Sequence, residues 1–120
     1  MKENIVISKS FAFSVSIIRM YQSLVAEKRE FTLSKQLLRS GTSIGANIEE
    51  AVGGVSKKDF IAKMSIAYKE ARETKYWLRL LHATDYLTDE QFNQIEKSSD
   101  ELLKILFAII NSSKNQSSTC

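Results

Sequence analysis

The sequence predicts an all-α protein, an antiparallel up-down-up-down four-helix bundle. Three observations carry that reading. The chain of 120 residues has no proline, and its four glycines are confined to Gly41 through Gly54. With so few breakers, long helices are favoured over a sheet full of turns. Two stretches repeat apolar residues at alternating spacings of four and three, the pattern of a bundle seam. Serine, threonine or glycine stands at the points where such helices would start or stop. A chain of this length builds one core, so residues 1–111 read as a single bundle domain and 112–120 as a disordered tail.

The first helix is expected over about 9–28, capped by Ser8 or Ser10 after a short lead-in. It carries two apolar stripes: Phe11, Val15, Ile18 and Val25 on one side, Phe13, Ile17, Met20 and Leu24 on another. Two stripes exceed what a small core usually takes, which leaves one wide core face or self-association as the readings. The second helix is expected over 32–52, with Thr32 as N-cap and Leu33, Leu37, Ile44, Ile48 and Ala51 facing the core. Leu38 and Val52 fall at the edge of that core.

Gly53 and Gly54 end the second helix, and Ser56 caps a third over 56–84. Phe60, Met64, Ala67, Ala71, Thr74, Leu78 and Leu81 form its unbroken seam. The box Thr88–Gln91 opens a fourth helix over 88–111. Its line is Phe92, Ile95, Ser99, Leu102, Leu106 and Ile109, widened by Leu103, Phe107 and Ile110.

Within the second helix, QLLRSGTSIGANIEEA at 36–51 departs from ordinary helix composition. An interior glycine costs about 1 kcal/mol relative to alanine, so Gly41 and Gly45 call for close approach by another helix. Beside the core runs a polar line of Gln36, Ser40, Ser43 and Asn47. It reads either as a seam that hydrogen-bonds to another helix and fixes register, or as a solvated helix edge.

Seventeen basic and 14 acidic residues give a net charge of +3, mildly basic and unevenly spread. Residues 1–87 hold 14 basic and 9 acidic side chains, whereas 88–120 hold 3 and 5, so a polyanion surface belongs on the first three helices. No apolar run approaches the roughly 20 residues of a membrane span, and no signal-peptide h-region is seen near the start. The single cysteine, Cys120, precludes an internal disulfide. These features point to a cytoplasmic protein with no membrane association.

The one histidine, His82, has no companions for a zinc, di-iron or Ser/His/Asp site, and no phosphate-binding loop is present. His82 reads as a surface or boundary residue. Glu49, Glu50, Glu70 and Glu73 read as ion-pair partners of Arg39 or of a helix of another subunit; an acid/base site built from Glu49, Glu50 or Glu73 at a subunit boundary is a remote third reading. No enzyme activity, cofactor, metal or small-molecule substrate is therefore expected.

The surface most suggestive of function is one flank of the third helix, carrying Tyr68, Arg72, Lys75, Tyr76 and Arg79. Basic groups neutralise phosphates, and tyrosines stack on unpaired bases. Lys57, Lys58 and Lys63 add charge near the helix start, while Lys35 and Arg39 form an exposed basic pair on the second helix. The alternative is a solvated rim around core tyrosines.

QLLRSGTSIGANIEEA at 36–51, SKKDF at 56–60 and KEARETKYWLRLL at 69–81 together resemble the four-helix-bundle proteins encoded in intervening sequences of bacterial 23S ribosomal RNA genes. The likeness spans about Lys9 to Asn111. Many members of that family have proline where Gly45 stands. The resemblance implies a bundle that assembles into a ring-shaped homo-oligomer, a pentamer, without a settled biochemical role. Accessory proteins of diversity-generating retroelements look similar in fold and hold RNA and a reverse transcriptase on a basic oligomeric surface. The partners implied are other copies of the chain and RNA or an RNA-bound protein. A protein-binding assembly factor without nucleic-acid affinity is the alternative.

Overall fold

Four α-helices form: α1 (Lys2–Ala26), α2 (Leu33–Val52), α3 (Lys57–Ala83) and α4 (Asp89–Ser118). The computed structural model describes the backbone of residues 2–118 and the side chains of residues 5–115. The helices make a rod of 53 × 22 × 20 Å. Each packs on its neighbour in sequence, α4 closes back on α1, and among the described residues no diagonal pair of helix backbones meets. That is the square up-down-up-down arrangement.

The core is the set of seams that the spacing predicts. Met64, Ala67, Ala71, Thr74, Leu78 and Leu81 of α3 are buried, as are Phe92, Ile95, Ser99, Leu102, Leu106 and Ile109 of α4. Leu37, Ile44, Ile48 and Ala51 line them from α2. Phe60 and Leu33 pack at the margin. Phe107, expected to widen the α4 core face, is instead 55% exposed and sits against Tyr68 with ring centroids 6.1 Å apart.

Helix α1 departs most from expectation. It starts by Lys2, not near residue 9, because Val6 and Ser10 extend the buried line of Phe13, Ile17 and Leu24 backward without a break. Ser8 and Ser10 do not cap; their hydroxyls donate to the Ile5 and Ile7 carbonyls within the helix. Of the two stripes, this one is the core. Phe11 and Ile18 of the other are 68% and 39% exposed. At the far end, α4 runs past residue 111 through 112–118, where the expected frayed tail contains no glycine or proline to stop it. Residues 119 and 120, with Cys120, lie outside the described residues.

Helix α1 ends in a hydrogen bond from Glu30 N–H to the Leu24 carbonyl six residues back, 3.0 Å, with Arg29 left-handed at φ 56°. The left-handed residue just past the helix turns the chain toward α2. Glu30 then caps α2 in place of Thr32, whose side chain makes no cap bond. The Glu30 carboxylate accepts from the backbone N–H groups of Thr32 (3.0 Å), Leu33 (3.0 Å) and Ser34 (2.7 Å). Burial alone would raise its pKa; the three donors outweigh that and hold it below the ordinary value of 4.5. The other caps are as predicted: Ser56 Oγ accepts from Asp59 N–H at 3.0 Å, and Thr88 and Gln91 cap reciprocally.

The glycines of α2 face α1. A Cβ on Gly41 would lie 2.7 Å from Ile17 Cγ2, and one on Gly45 would lie 3.3 Å from Ser14 Oγ. Close helix approach, the expected reason for both, is thus met within one chain. The polar line of α2 looks the other way, toward α3. Ser40, fully buried, receives the Thr74 hydroxyl at 2.9 Å. Ser43 and Asn47 bond to carbonyls of their own helix, at Arg39 and Ser43 respectively, and Gln36 is exposed.

Candidate nucleic-acid interface

Two helices, α2 and α3, present the basic residues singled out from sequence, and the structure gathers them into three groups rather than one. Lys57 and Lys58 open α3, about 30 Å along its axis from Arg79 at 1.5 Å per residue. Lys35 lies exposed on the outer side of α2. The third group is the flank of α3 itself.

Arg39 does not stand free. Its guanidinium pairs with Glu70 at 3.2 Å and with Glu73, and Glu73 also accepts the Trp77 indole N–H at 3.1 Å. Desolvation works against the charged guanidinium, but the two carboxylates prevail and raise its pKa above the usual value. Arg39 therefore ties α2 to α3, as the sequence reading of Glu70 and Glu73 anticipates. Lys63 is likewise joined to Glu50 at 3.1 Å.

On the opposite flank, Lys75 is bound to Asp100 of α4 at 2.7 Å, and Tyr68 packs on Phe107. Tyr76 is 52% exposed and meets Trp77 edge-on, with centroids 5.3 Å apart. Arg72 and Arg79 are exposed and form no ion pair among the described residues. Lys69, which the sequence reading passed over, is also exposed on this outer side of α3. On this flank the cations left to meet a phosphate are therefore Lys69, Arg72 and Arg79, spaced along the helix with Tyr76 among them.

Beside Arg79 the α3–α4 seam opens into a notch of about 410 Å³ that Tyr76, His82, Phe92 and Glu96 help to line. His82 is half-buried there; its ring stacks on Phe92 at 4.2 Å, and its Nε2 lies 2.7 Å from Asp89 Oδ1. A larger groove of about 650 Å³ runs along the α1–α4 seam, with Met20, Leu24 and Ile95 in its floor and Ser16, Ser23 and Gln91 along it. No cluster of three or more His, Cys, Asp or Glu residues suited to a metal occurs among the described residues. None of the helices is long and apolar enough to cross a membrane.

Sequence and shape place the chain among known proteins. The family model described as "23S rRNA-intervening sequence protein" matches residues 2–108. A crystal structure from Bacteroides thetaiotaomicron VPI-5482, of a protein with unknown function from the S23 ribosomal protein family, is 54% identical. That similarity covers 92% of this chain and 99% of the other, with a TM-score of 0.91. No curated protein matches. The motifs of α2 and α3, the four-helix architecture and this match over nearly the whole chain agree: the chain belongs to the 23S rRNA-intervening sequence protein family.

Proposed function

We propose that the protein is a non-enzymatic homo-oligomeric scaffold whose partner is RNA or an RNA-bound protein. The observation that carries the scaffold reading is the placement of exposed apolar side chains on two opposite sides of the square. Phe11 and Ile18 stand on the outer side of α1 next to α2, while Phe107 stands with Tyr68 on the α3–α4 side. Unlike patches on opposite faces suit a head-to-tail contact, which closes into a ring when the rotation allows; five copies is the number the family resemblance implies.

The outer side of α3 supplies the polyanion surface of this scaffold. Lys69, Arg72 and Arg79 supply charge, and exposed Tyr76 supplies a stacking face. Of Glu49, Glu50 and Glu73, the carboxylates considered for acid/base chemistry, Glu50 and Glu73 are engaged with cations. A protein-binding assembly factor is the second reading, favoured by the neutralisation of Arg39 and Lys75 within the bundle.

Sedimentation of the intact chain tests the first part: an assembly is expected, dissociating on Phe11→Asp, and a monomer of 13.6 kDa at micromolar concentration would refute it. For the second part, RNA affinity should fall steeply with salt and drop on joint conversion of Arg72 and Arg79 to alanine. Unchanged affinity in that folded variant would move the binding surface elsewhere; no RNA binding at low salt would favour the assembly-factor reading.

A further inference from the structure

Resting on the RNA association proposed above, we propose that the α3–α4 notch receives the unpaired base of a guanosine in single-stranded RNA. The argument starts from register. Helices α3 and α4 run antiparallel, and Lys75 meets Asp100 across their seam at 2.7 Å. One turn further along each helix, the same register sets Arg79 opposite Glu96. These side chains are as long as the lysine or longer than the aspartate, and opposite in charge, so they can span the seam at least as readily. They form no ion pair; both instead line the notch of about 410 Å³.

Two charges of opposite sign facing one cavity without pairing make a site for a ligand that both donates and accepts. The flat walls narrow the choice. The His82 ring lies almost parallel to Phe92, with an interplanar angle of 6°, and Tyr76 is open to solvent beside Arg79. Aromatic surfaces of this kind stack on a base. Among the bases, guanine presents two adjacent donors, N1–H and the N2 amino group, to a single carboxylate such as Glu96. Its neighbouring edge presents O6 and N7, the two acceptors that a guanidinium engages together. Adenine offers Glu96 an acceptor at N1, which the carboxylate repels, and no pyrimidine presents two adjacent donors to Glu96.

The chemistry divides the labour on this face. Arg72 and Lys69 contact phosphates whatever the sequence, whereas Arg79 and Glu96 read one nucleotide. The full-length protein is titrated with two labelled single-stranded RNAs that differ only in one central guanosine replaced by adenosine. The guanosine form should bind about tenfold more tightly, the order expected of a well-made bidentate contact. Glu96→Gln, checked for unchanged helicity, should bring the two within about twofold of each other, while Arg72→Ala should weaken both alike. In parallel, guanosine 5′-monophosphate, but not adenosine 5′-monophosphate, should shift the ring resonances of Tyr76 and His82. Equal affinity for both RNAs, with Glu96→Gln silent, would overturn the notch assignment and leave RNA association standing. Failure of both RNAs to bind at low salt would remove the notch assignment and the RNA association together.

Discussion

Helix α1 meets its two neighbours in opposite ways. Against α2 it lies so close that a methyl group on Gly41 would strike the fully buried Ile17. Against α4 it stands off, held at one end by the Lys9–Glu101 ion pair at 3.2 Å and separated along its C-terminal half by the groove of about 650 Å³. Both seams use small or polar residues, yet with contrary results. Glycine lets two backbones approach and fill space, whereas Ser16 and Ser23 facing Gln91 offer too little apolar bulk to draw the helices together. A small residue is informative about packing only once the side chain opposite it is known.

The contrast can be broken most severely at Gly41. Gly41→Leu should cost about 3 kcal/mol, the upper end for overpacking, because Ile17 has no free space to move into. Thermal unfolding should show this as a fall of roughly 10 °C or more in Tm. Gly41→Ala should destabilise by about 1 kcal/mol, since the steric cost exceeds the gain in helix propensity.

Next in size is the loop that turns α1 into α2. Glu30→Gln should cost about 1 kcal/mol at neutral pH by weakening the cap of α2. The sign with pH follows from the depressed pKa of Glu30, which is lower folded than unfolded. Its contribution is complete above the unfolded value and is lost as pH falls through the folded one. Denaturant midpoints measured from pH 6 downward should therefore converge for wild type and variant once pH drops well below 4.5. A constant gap down to the lowest pH would show that Glu30 is not the cap.

Gly45→Ala sharpens the comparison from the other side. The added methyl meets Ser14 Oγ at 3.3 Å, a side-chain atom able to rotate, so the roughly 1 kcal/mol of propensity gain should offset the crowding. Stability within about 0.5 kcal/mol of wild type is expected, against the clear loss at Gly41. The smallest effect belongs to the open seam: Lys9→Ala should change stability by less than about 0.5 kcal/mol, because that pair is solvated and screened. A larger loss would mean that α4 depends on it.

The helical core could be read from the sequence because bundle seams repeat over many turns. Every member of the Met64–Leu81 and Phe92–Ile109 lines is buried. The start of α1 was harder to locate, since Ser8 and Ser10 look like caps but bond within a helix already under way. Glu30 escaped notice because its side chain reaches forward over Thr32, an arrangement that composition does not distinguish from a polar loop. At the candidate interface, Arg72 and Arg79 stand exposed as the flank pattern implies. Lys75 and Arg39 are paired instead, which the sequence does not show, since their acidic partners lie 25 and 31 residues away and interhelical register decides who meets whom. Glu96 belongs to the notch for the same reason.

Trp77 is the only tryptophan of the chain, and its indole N–H is bonded to Glu73, the carboxylate that also holds Arg39. The molecule thus contains one indole emitter, excitable beyond the absorption band of its four tyrosines and wired to a single seam. Its fluorescence will register α2 drawing away from α3 and will be nearly blind to the widening of α1 from α4. Optical unfolding curves that lag behind a probe placed on Ser16 or Ser98 would then measure, in one experiment, the order in which this bundle comes apart.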